Sequence, residues 1–300
     1  QADRGIGLTR AAAATLGDSR DRSKVVHSLR SLLAQRLYAL CCGYEDLNDH
    51  ERLRDDVLLQ TALGRAETLA SAPTLCRLET GASTADAFGL HEVLIAQFIA
   101  SQRKAPKRLV HDLDASDIPL HGNQELRQFH GYYDQHCYLP LYVFCADSML
   151  ACYLRRSRIH GAKNATALVK RLVQRLRQSW PKVEIVIRAD SGFCRVRVMR
   201  WCERNAVGYV LGIARNARLH SIVELTEFAM ADRYAVTGLK QREIGEFTYA
   251  AESWGIERVE IARPDTARVL DSGPTVASRT AMIVGRLLED ACDDLRRHAG

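Results

Sequence analysis

Val26, Leu29, Leu32, Leu33, Leu37 and Leu40 recur at helical spacing near the start of the chain, which predicts an amphipathic helix. Gly43-Tyr-Glu-Asp-Leu-Asn-Asp-His50 then reads as a turn into a second helix from about Glu51. A further stripe of Leu90, Val93, Leu94, Phe98 and Ile99 extends to about Arg103, where Lys104, Pro106 and Lys107 mark a boundary. Beyond it the apolar period drops to two. Residues 108–114 read as a strand with Val110, Asp112 and Asp114 on one face and Leu109, His111 and Leu113 on the other. After a loop, Leu139 to Cys145 and Met149 to Leu154 read as a hairpin turning at Ala146-Asp-Ser148, with Pro140 at a strand start.

From Asn164, an N-cap candidate, Ala165, Leu168, Val169, Leu172, Val173, Leu176 and Trp180 draw one apolar stripe. Val183-Glu-Ile-Val-Ile-Arg-Ala-Asp-Ser-Gly192 is a nearly continuous apolar run of strand composition that ends in Asp190. A helix from about Phe193 to Arg204 and a strand from Gly208 to Ala214 follow. Three strands, a helix, a strand, a helix and a strand predict an α/β fold, an open mixed sheet with helices packed against it. Residues 1–23 are Ala-rich and charged without a strong pattern and are expected to be weakly ordered.

The pattern brings acids to strand ends. Asp112 and Asp114 share a face, and like charges that close call for a cation or a proton between them. Sites in open α/β sheets collect where strands end, so Asp114 and Asp190 are expected to meet there. Asp117, before Ile-Pro, reads as a loop or turn residue. His111, His121, His130 and His136 lack metal-ligand spacing and do not read as a zinc site. Gly192 is assigned to a tight strand-to-helix turn.

Leu63 to Glu79 offers a helix stop at Gly64, then Ser71 as N-cap with Pro73 in the first turn. Two readings stand: a helix-turn-helix that presents Thr74 and Arg77 to a DNA groove, or an ordinary capped bundle helix. Lys170, Arg171, Arg175 and Arg177 likewise form either a solvated face or a DNA-backbone contact.

Composition adds limits. At 300 residues and 47% hydrophobic content the chain can bury a substantial core in one or two domains. The net charge of +6 comes mostly from arginine, which suits bidentate phosphate contact. Nine cysteines without a Cys-x-x-Cys pair point away from zinc and a disulfide framework and toward reduced, buried thiols in a cytoplasmic protein. No apolar run approaches the roughly 20 residues that span a bilayer, so no membrane partner is expected.

The strand order, with carboxylates ending the first and fourth strands, resembles the ribonuclease-H-like core. Further, Gly43-Tyr-Glu-Asp-Leu-Asn-Asp-His50, Arg52-Leu-Arg-Asp-Asp56, Asp112-Leu-Asp-Ala-Ser-Asp117, Phe129-His-Gly-Tyr-Tyr-Asp134, Tyr138-Leu-Pro-Leu-Tyr142, Leu154-Arg-Arg156, Arg188-Ala-Asp-Ser-Gly-Phe193 and Ala214-Arg-Asn216 resemble, in order, bacterial insertion-sequence transposases with an Asp-Asp-Glu (DDE) nuclease domain. The likeness is to the branch numbered 1380, within transposase DDE domain group 1, and covers about residues 20–258.

The resemblance implies a ribonuclease-H-like catalytic domain over 106–258, a helical domain over 24–105 that is a candidate for DNA binding, and a divergent tail over 259–300. It implies DNA cleavage and strand transfer, that is, transposition and recombination, with Asp114 and Asp190 catalytic. Asp114, Asp190 and Asp112 would hold Mg²⁺, with Mn²⁺ able to substitute, and Thr74, Arg77, Arg188 and Arg215 would contact DNA. The implied partners are double-stranded DNA, as terminal inverted repeats and target, and a second copy in a homodimer; the implied place is the bacterial cytoplasm, with the nucleoid.

One departure matters. The family's third acid is expected in a Tyr-x2-Arg-x3-Glu-x6-Lys pattern, and none occurs; Ile283, Arg286, Asp290 and Arg297 repeat only its spacing. Glu289 and Asp290, in a helix expected around Thr280 to Arg297, are the tail acids to consider. The alternative reading is therefore a truncated or frameshifted remnant that binds DNA without cutting it.

Overall fold

The computed structural model describes residues 2–214, 216–240, 245–252, 254–255 and the backbone of 258–262. It divides into two compact units, one of Gln1–Lys107, Phe144–Cys152 and Leu172–Val183, the other of Arg108–Val143, Tyr153–Arg171 and Glu184 onward.

The first unit begins with seven helices: α1 (Ala2–Ile6), α2 (Leu8–Thr15), α3 (Leu29–Cys41), α4 (His50–Leu53), α5 (Val57–Leu63), α6 (Ala72–Thr80) and α7 (Thr84–Ser101). Residues 2–15 are thus helical rather than weakly ordered. The Ala run favours helix, Asp3 binds both the amide and the hydroxyl of Thr9 at 2.8 and 2.7 Å, and Thr9 and Ala12 are buried. The helix expected from Glu51 is two short ones, the second capped by Asp56 on the Leu59 amide at 2.7 Å and ended by Gly64 at φ 69°. α7 starts in a reciprocal box: Ser83 Oγ accepts from the Asp86 amide at 3.2 Å and the Asp86 carboxylate accepts from the Ser83 amide at 2.8 Å.

A buried amide joins two segments of this unit. Gln35, on the inner face of α3, donates to the Ala70 carbonyl at 2.8 Å, accepts from the Ala70 amide at 3.0 Å and lies 3.2 Å from His50 Nδ1. It serves an irregular stretch that has no helical partner for these groups. Leu32, Ala70 and Leu75 pack around the same level, with Leu47 and Leu78 beside them.

The remaining elements are β1 (Arg108–Ala115), β2 (Ile118–Pro119), β3 (Gln128–His130), β4 (Gln135–Tyr138), β5 (Leu141–Cys145), β6 (Ser148–Tyr153), α8 (Ala165–Ser179), β7 (Glu184–Ala189), α9 (Val196–Arg204), β8 (Gly208–Leu211), α10 (Ala217–Thr237), β9 (Gly245–Tyr249) and β10 (Arg258–Ala262). The main sheet has the order β6-β5-β1-β7-β8, and β7 pairs parallel with both β1 and β8. Numbered among themselves, the five strands run 3-2-1-4-5. This mixed sheet flanked by helices is the ribonuclease-H-like arrangement, preceded by a helical part.

Within the first unit, α7 reaches the hairpin and α8: His91 Nε2 lies 2.9 Å from the Cys152 carbonyl, Glu92 pairs with Arg175 at 3.3 Å, and Phe98 meets Trp180 edge-on. Arg175 is thereby bound to protein. Val169, Leu172, Val173 and Leu176 of α8 are buried, as the apolar stripe predicts. Asn164, before it, has a left-handed backbone (φ 70°).

In the second unit, Leu109, His111 and Leu113 of β1 are buried and Val110, Asp112 and Asp114 half-buried. That alternation follows the predicted faces. The stretch expected to be loop between β1 and β5 folds as a small antiparallel sheet of order β2-β4-β3. Its strands are two to four residues long, too short for a period-two signal, and Leu126 and Asp134 turn with positive φ. Farther on, Met199, Tyr249 and Trp254 form a core with Val196, Tyr209 and Leu211. The cysteines divide: Cys137, Cys145 and Cys202 are buried, whereas Cys41, Cys42 and Cys76 are exposed, against the expectation of burial.

Candidate active site

The site builds from the β1–β7 ladder in the second unit. The last rungs pair Asp112 with Arg188 and Leu113 with Ala189. One position on lie Asp114, still in β1, and Asp190, whose backbone continues extended at φ −73° and ψ −176°. Adjacent strands run about 4.8 Å apart, and successive side chains alternate in face. Asp112 and Arg188 bond across one face, so two positions along each strand Asp114 and Asp190 stand next to each other on that face, at the carboxyl ends of the two strands.

Each acid is held locally. Asp114 Oδ2 accepts from the Ser116 hydroxyl at 2.7 Å. Asp190 Oδ1 accepts from the Gly192 amide at 2.8 Å and caps the short 3₁₀ turn Ser191–Phe193. Phe193 is buried and anchors that turn.

Gly192 lies in the tight turn assigned to it from the sequence, and a Cβ there would lie 3.0 Å from Asp190 Oδ1. Gly212, just after β8, is tighter still. Its amide donates to the Ala189 carbonyl at 2.9 Å, and a Cβ on it would lie 2.9 Å from the Ser191 nitrogen and 3.2 Å from the Asp190 carbonyl carbon. A glycine in a strand-like run is the sequence signal for such an approach, and here it fixes the Asp190 corner.

Asp112 and Arg188, predicted as metal ligand and DNA contact, engage one another. Arg188 Nη2 donates to Asp112 Oδ2 at 2.7 Å, and Nε donates to the other oxygen. The carboxylate raises the guanidinium's proton affinity further. Asp117 accepts from Gln135 Nε2 at 2.5 Å, tying the end of β1 to β4. Thr74 and Arg77 lie on α6 in the first unit, where Arg77 Nη2 donates to Thr74 Oγ1 at 3.2 Å and remains exposed. Arg215, Glu289 and Asp290 lie outside the described residues.

Two further residues near the acids, His160 and Tyr133, have no role assigned from the sequence. His160 bonds to Arg195 Nη2; burial first, then the charges of Arg195 and Arg155, push its pKa down, while Asp190 pulls it up. Burial raises the Tyr133 phenol to about 12, with Asp117 and Asp114 adding to the shift. His160 and Tyr133 therefore stand within the electrostatic reach of Asp190 and Asp114.

Paired carboxylates are hard oxygen donors of the kind that hold Mg²⁺ or Mn²⁺. The donor set fits such an ion as far as these two acids. Among the described residues no group of three or more His, Cys, Asp or Glu side chains is placed to hold a metal ion.

A 3-2-1-4-5 mixed sheet with acids ending its first and fourth strands defines a ribonuclease-H-like protein. The family follows from the sequence as a whole: the model for transposase DDE domain group 1 matches residues 1–269, and the chain belongs to that family. No curated protein matches it by sequence. Among solved structures it is similar to the piggyBac transposase synaptic complex with hairpin DNA, at 13% identity, 98% coverage of this chain, 65% of that chain and a TM-score of 0.37. It is also similar to the catalytic domain of Mos1 mariner transposase, at 10% identity, covering 49% and 68% with a TM-score of 0.26. The Drosophila P element transposase strand transfer complex is a third, at 9% identity, covering 66% and 48% with a TM-score of 0.27.

Proposed function

We propose that this chain is the transposase of an insertion sequence related to the branch numbered 1380, cutting DNA at the element's terminal inverted repeats and joining the ends to target DNA. The observation that carries this is the placement of Asp114 and Asp190 side by side at the ends of adjacent parallel strands. In this reading the two acids are catalytic and hold Mg²⁺, or Mn²⁺ in its place. Bound there, divalent ions would make the attacking oxygen nucleophilic and stabilise the leaving oxygen of the phosphodiester.

The chain's own residues prepare the site. Ser116 and the Gly192 amide fix one oxygen of each acid, and Gly212 lets β8 close on the Asp190 corner. Arg188 neutralises Asp112, so the charge beside the pair falls. Asp112 then acts by holding Arg188 in position rather than as a ligand, and Arg188 serves DNA only through its exposed edge. Thr74, Arg77 and Arg215 remain candidate DNA contacts. Work on two ends implies a homodimer on DNA in the bacterial cytoplasm, at the nucleoid. No described helix is long and apolar enough to cross a membrane.

The test is nicking and joining of a plasmid carrying the element's ends, with Mg²⁺ or Mn²⁺, by the chain and by Asp114→Ala and Asp190→Ala. Cleavage that falls to background in both variants is expected. Cleavage unchanged by either substitution would sink the assignment. A second reading, a remnant that binds the ends without cutting, is favoured by the sequence, which lacks the family's Tyr-x2-Arg-x3-Glu-x6-Lys pattern. It predicts end binding with no joined product from any of the three proteins.

A further inference from the structure

We propose that the face formed by residues 127–133 and 156–160 is a platform for single-stranded DNA, where unpaired bases stack on Phe129 and Tyr132 and the backbone lies along Arg158 and the Arg195–His160 pair. This rests on the strand-transferase reading and states the form in which the site takes its DNA.

The segment from Leu154 to His160 alternates in burial. Arg155 and Ser157 point inward, 6% and 0% exposed, while Arg156, Arg158 and His160 are exposed. The inward residues are firmly held: Arg155 donates to the carbonyls of Leu139, Gly161 and Lys163 at 2.8, 2.8 and 2.6 Å, and Ser157 donates to that of Gln128 at 2.9 Å. Arg156 and Arg158 therefore form a short exposed row on this segment, which bends at 157–159, followed by His160 in its bond with Arg195. Arg158 is aimed by its own amide on Gln128 Oε1 at 3.1 Å and by Nε on the Phe129 carbonyl at 3.4 Å.

Beside the row is a group of rings. Phe129 is 40% and Tyr132 61% exposed. The His130, Tyr132 and Tyr133 rings pack at 4.8 to 6.4 Å between centroids, and Phe129 meets His136 edge-on at 5.6 Å. An open depression of about 450 Å³ lies between residues 129–131 and 157–160. Exposed ring faces beside a row of cations combine the two features that bind unpaired nucleic acid: bases stack on the rings, and the phosphates follow the charge. A duplex offers only the second, since its bases already stack on one another. The row ends at His160, whose partner Arg195 follows the Ser191–Phe193 turn that Asp190 caps, so a strand laid along it approaches the Asp190 corner.

The test separates binding from cutting. Fluorescence anisotropy in EDTA would use the full chain with Asp114→Ala and Asp190→Ala, and two probes: an oligothymidylate of about 16 nucleotides and a duplex of equal length. Phe129→Ala is expected to weaken the single strand about tenfold and the duplex less than about twofold, whereas Arg158→Ala, which removes a phosphate contact, should weaken both. Phe129→Trp should restore binding, and Arg158→Ala should reduce the slope of log affinity against log salt by about 0.7. Tyr132→Ala, at a more exposed ring, provides the same comparison if Phe129→Ala lowers the melting temperature. Equal loss on both probes from the ring substitutions, or no loss in folded variants, would overturn the platform. Nicking without this discrimination leaves the transferase standing and removes the platform; discrimination without nicking does the reverse.

Discussion

His111 shows what a single buried polar residue does to this chain. It sits in β1 fully buried, and neither ring nitrogen has a hydrogen-bond partner among the described residues. Burial pushes its pKa down to about 4, below the roughly 6.5 of an unfolded chain. The unfolded state therefore takes up the proton first as pH falls. Its contribution is whole above pH ~6.5 and is lost toward pH ~4, about 3 kcal/mol at the limit. Urea unfolding of the native chain and His111→Leu at neutral pH and near pH 4.5 should show the variant losing less of its stability on acidification. Gly212→Ala tests a second single position: the added methyl would press on the Asp190–Ser191 backbone at 2.9 Å. A cost of about 1–3 kcal/mol in stability is expected, with nicking reduced further than the melt accounts for because Asp190 shifts.

Elements are held by a few specific bonds as well as by apolar faces. Replacing Gln35 by Leu would leave the Ala70 amide and carbonyl without their partner and should cost about 1–3 kcal/mol. Chemical denaturation reads this directly. In α8, Leu172 is 1% exposed, and Leu172→Ala should cost about 2–5 kcal/mol by the same measurement. The Arg188–Asp112 pair is different. Its side chains are 55% and 34% exposed, so Arg188→Ala should change stability by no more than about 1 kcal/mol, and any larger effect on nicking would belong to the acids next to it.

For the whole molecule, a net charge of +6 carried mainly by arginine sets how it meets DNA. Duplex affinity should fall at least about tenfold between roughly 50 and 200 mM salt, as phosphate contacts release counterions. A salt-independent affinity would count against a backbone-binding protein. Membership in transposase DDE domain group 1 covers residues 1–269. It therefore takes in both compact units, and the two are best tested together in the full chain.

The sequence by itself determined the strands of the main sheet, the helices α3, α7 and α8, and the carboxylates at the ends of β1 and β7. Their signals are local and periodic: alternation in β1, a continuous apolar run in β7, a single stripe in α8, and carboxylates at strand ends. Only the tertiary structure decided what those acids stand beside. The strand register pairs Asp112 with Arg188, and register is a property of two segments 76 residues apart. The small sheet of β2, β3 and β4 has strands too short for a period and gains its order from cross-strand pairing. Gln35 and His160 are ordinary letters in the chain. Their roles arise from neighbours that folding brings to them, and no spacing along one segment records a neighbour on another.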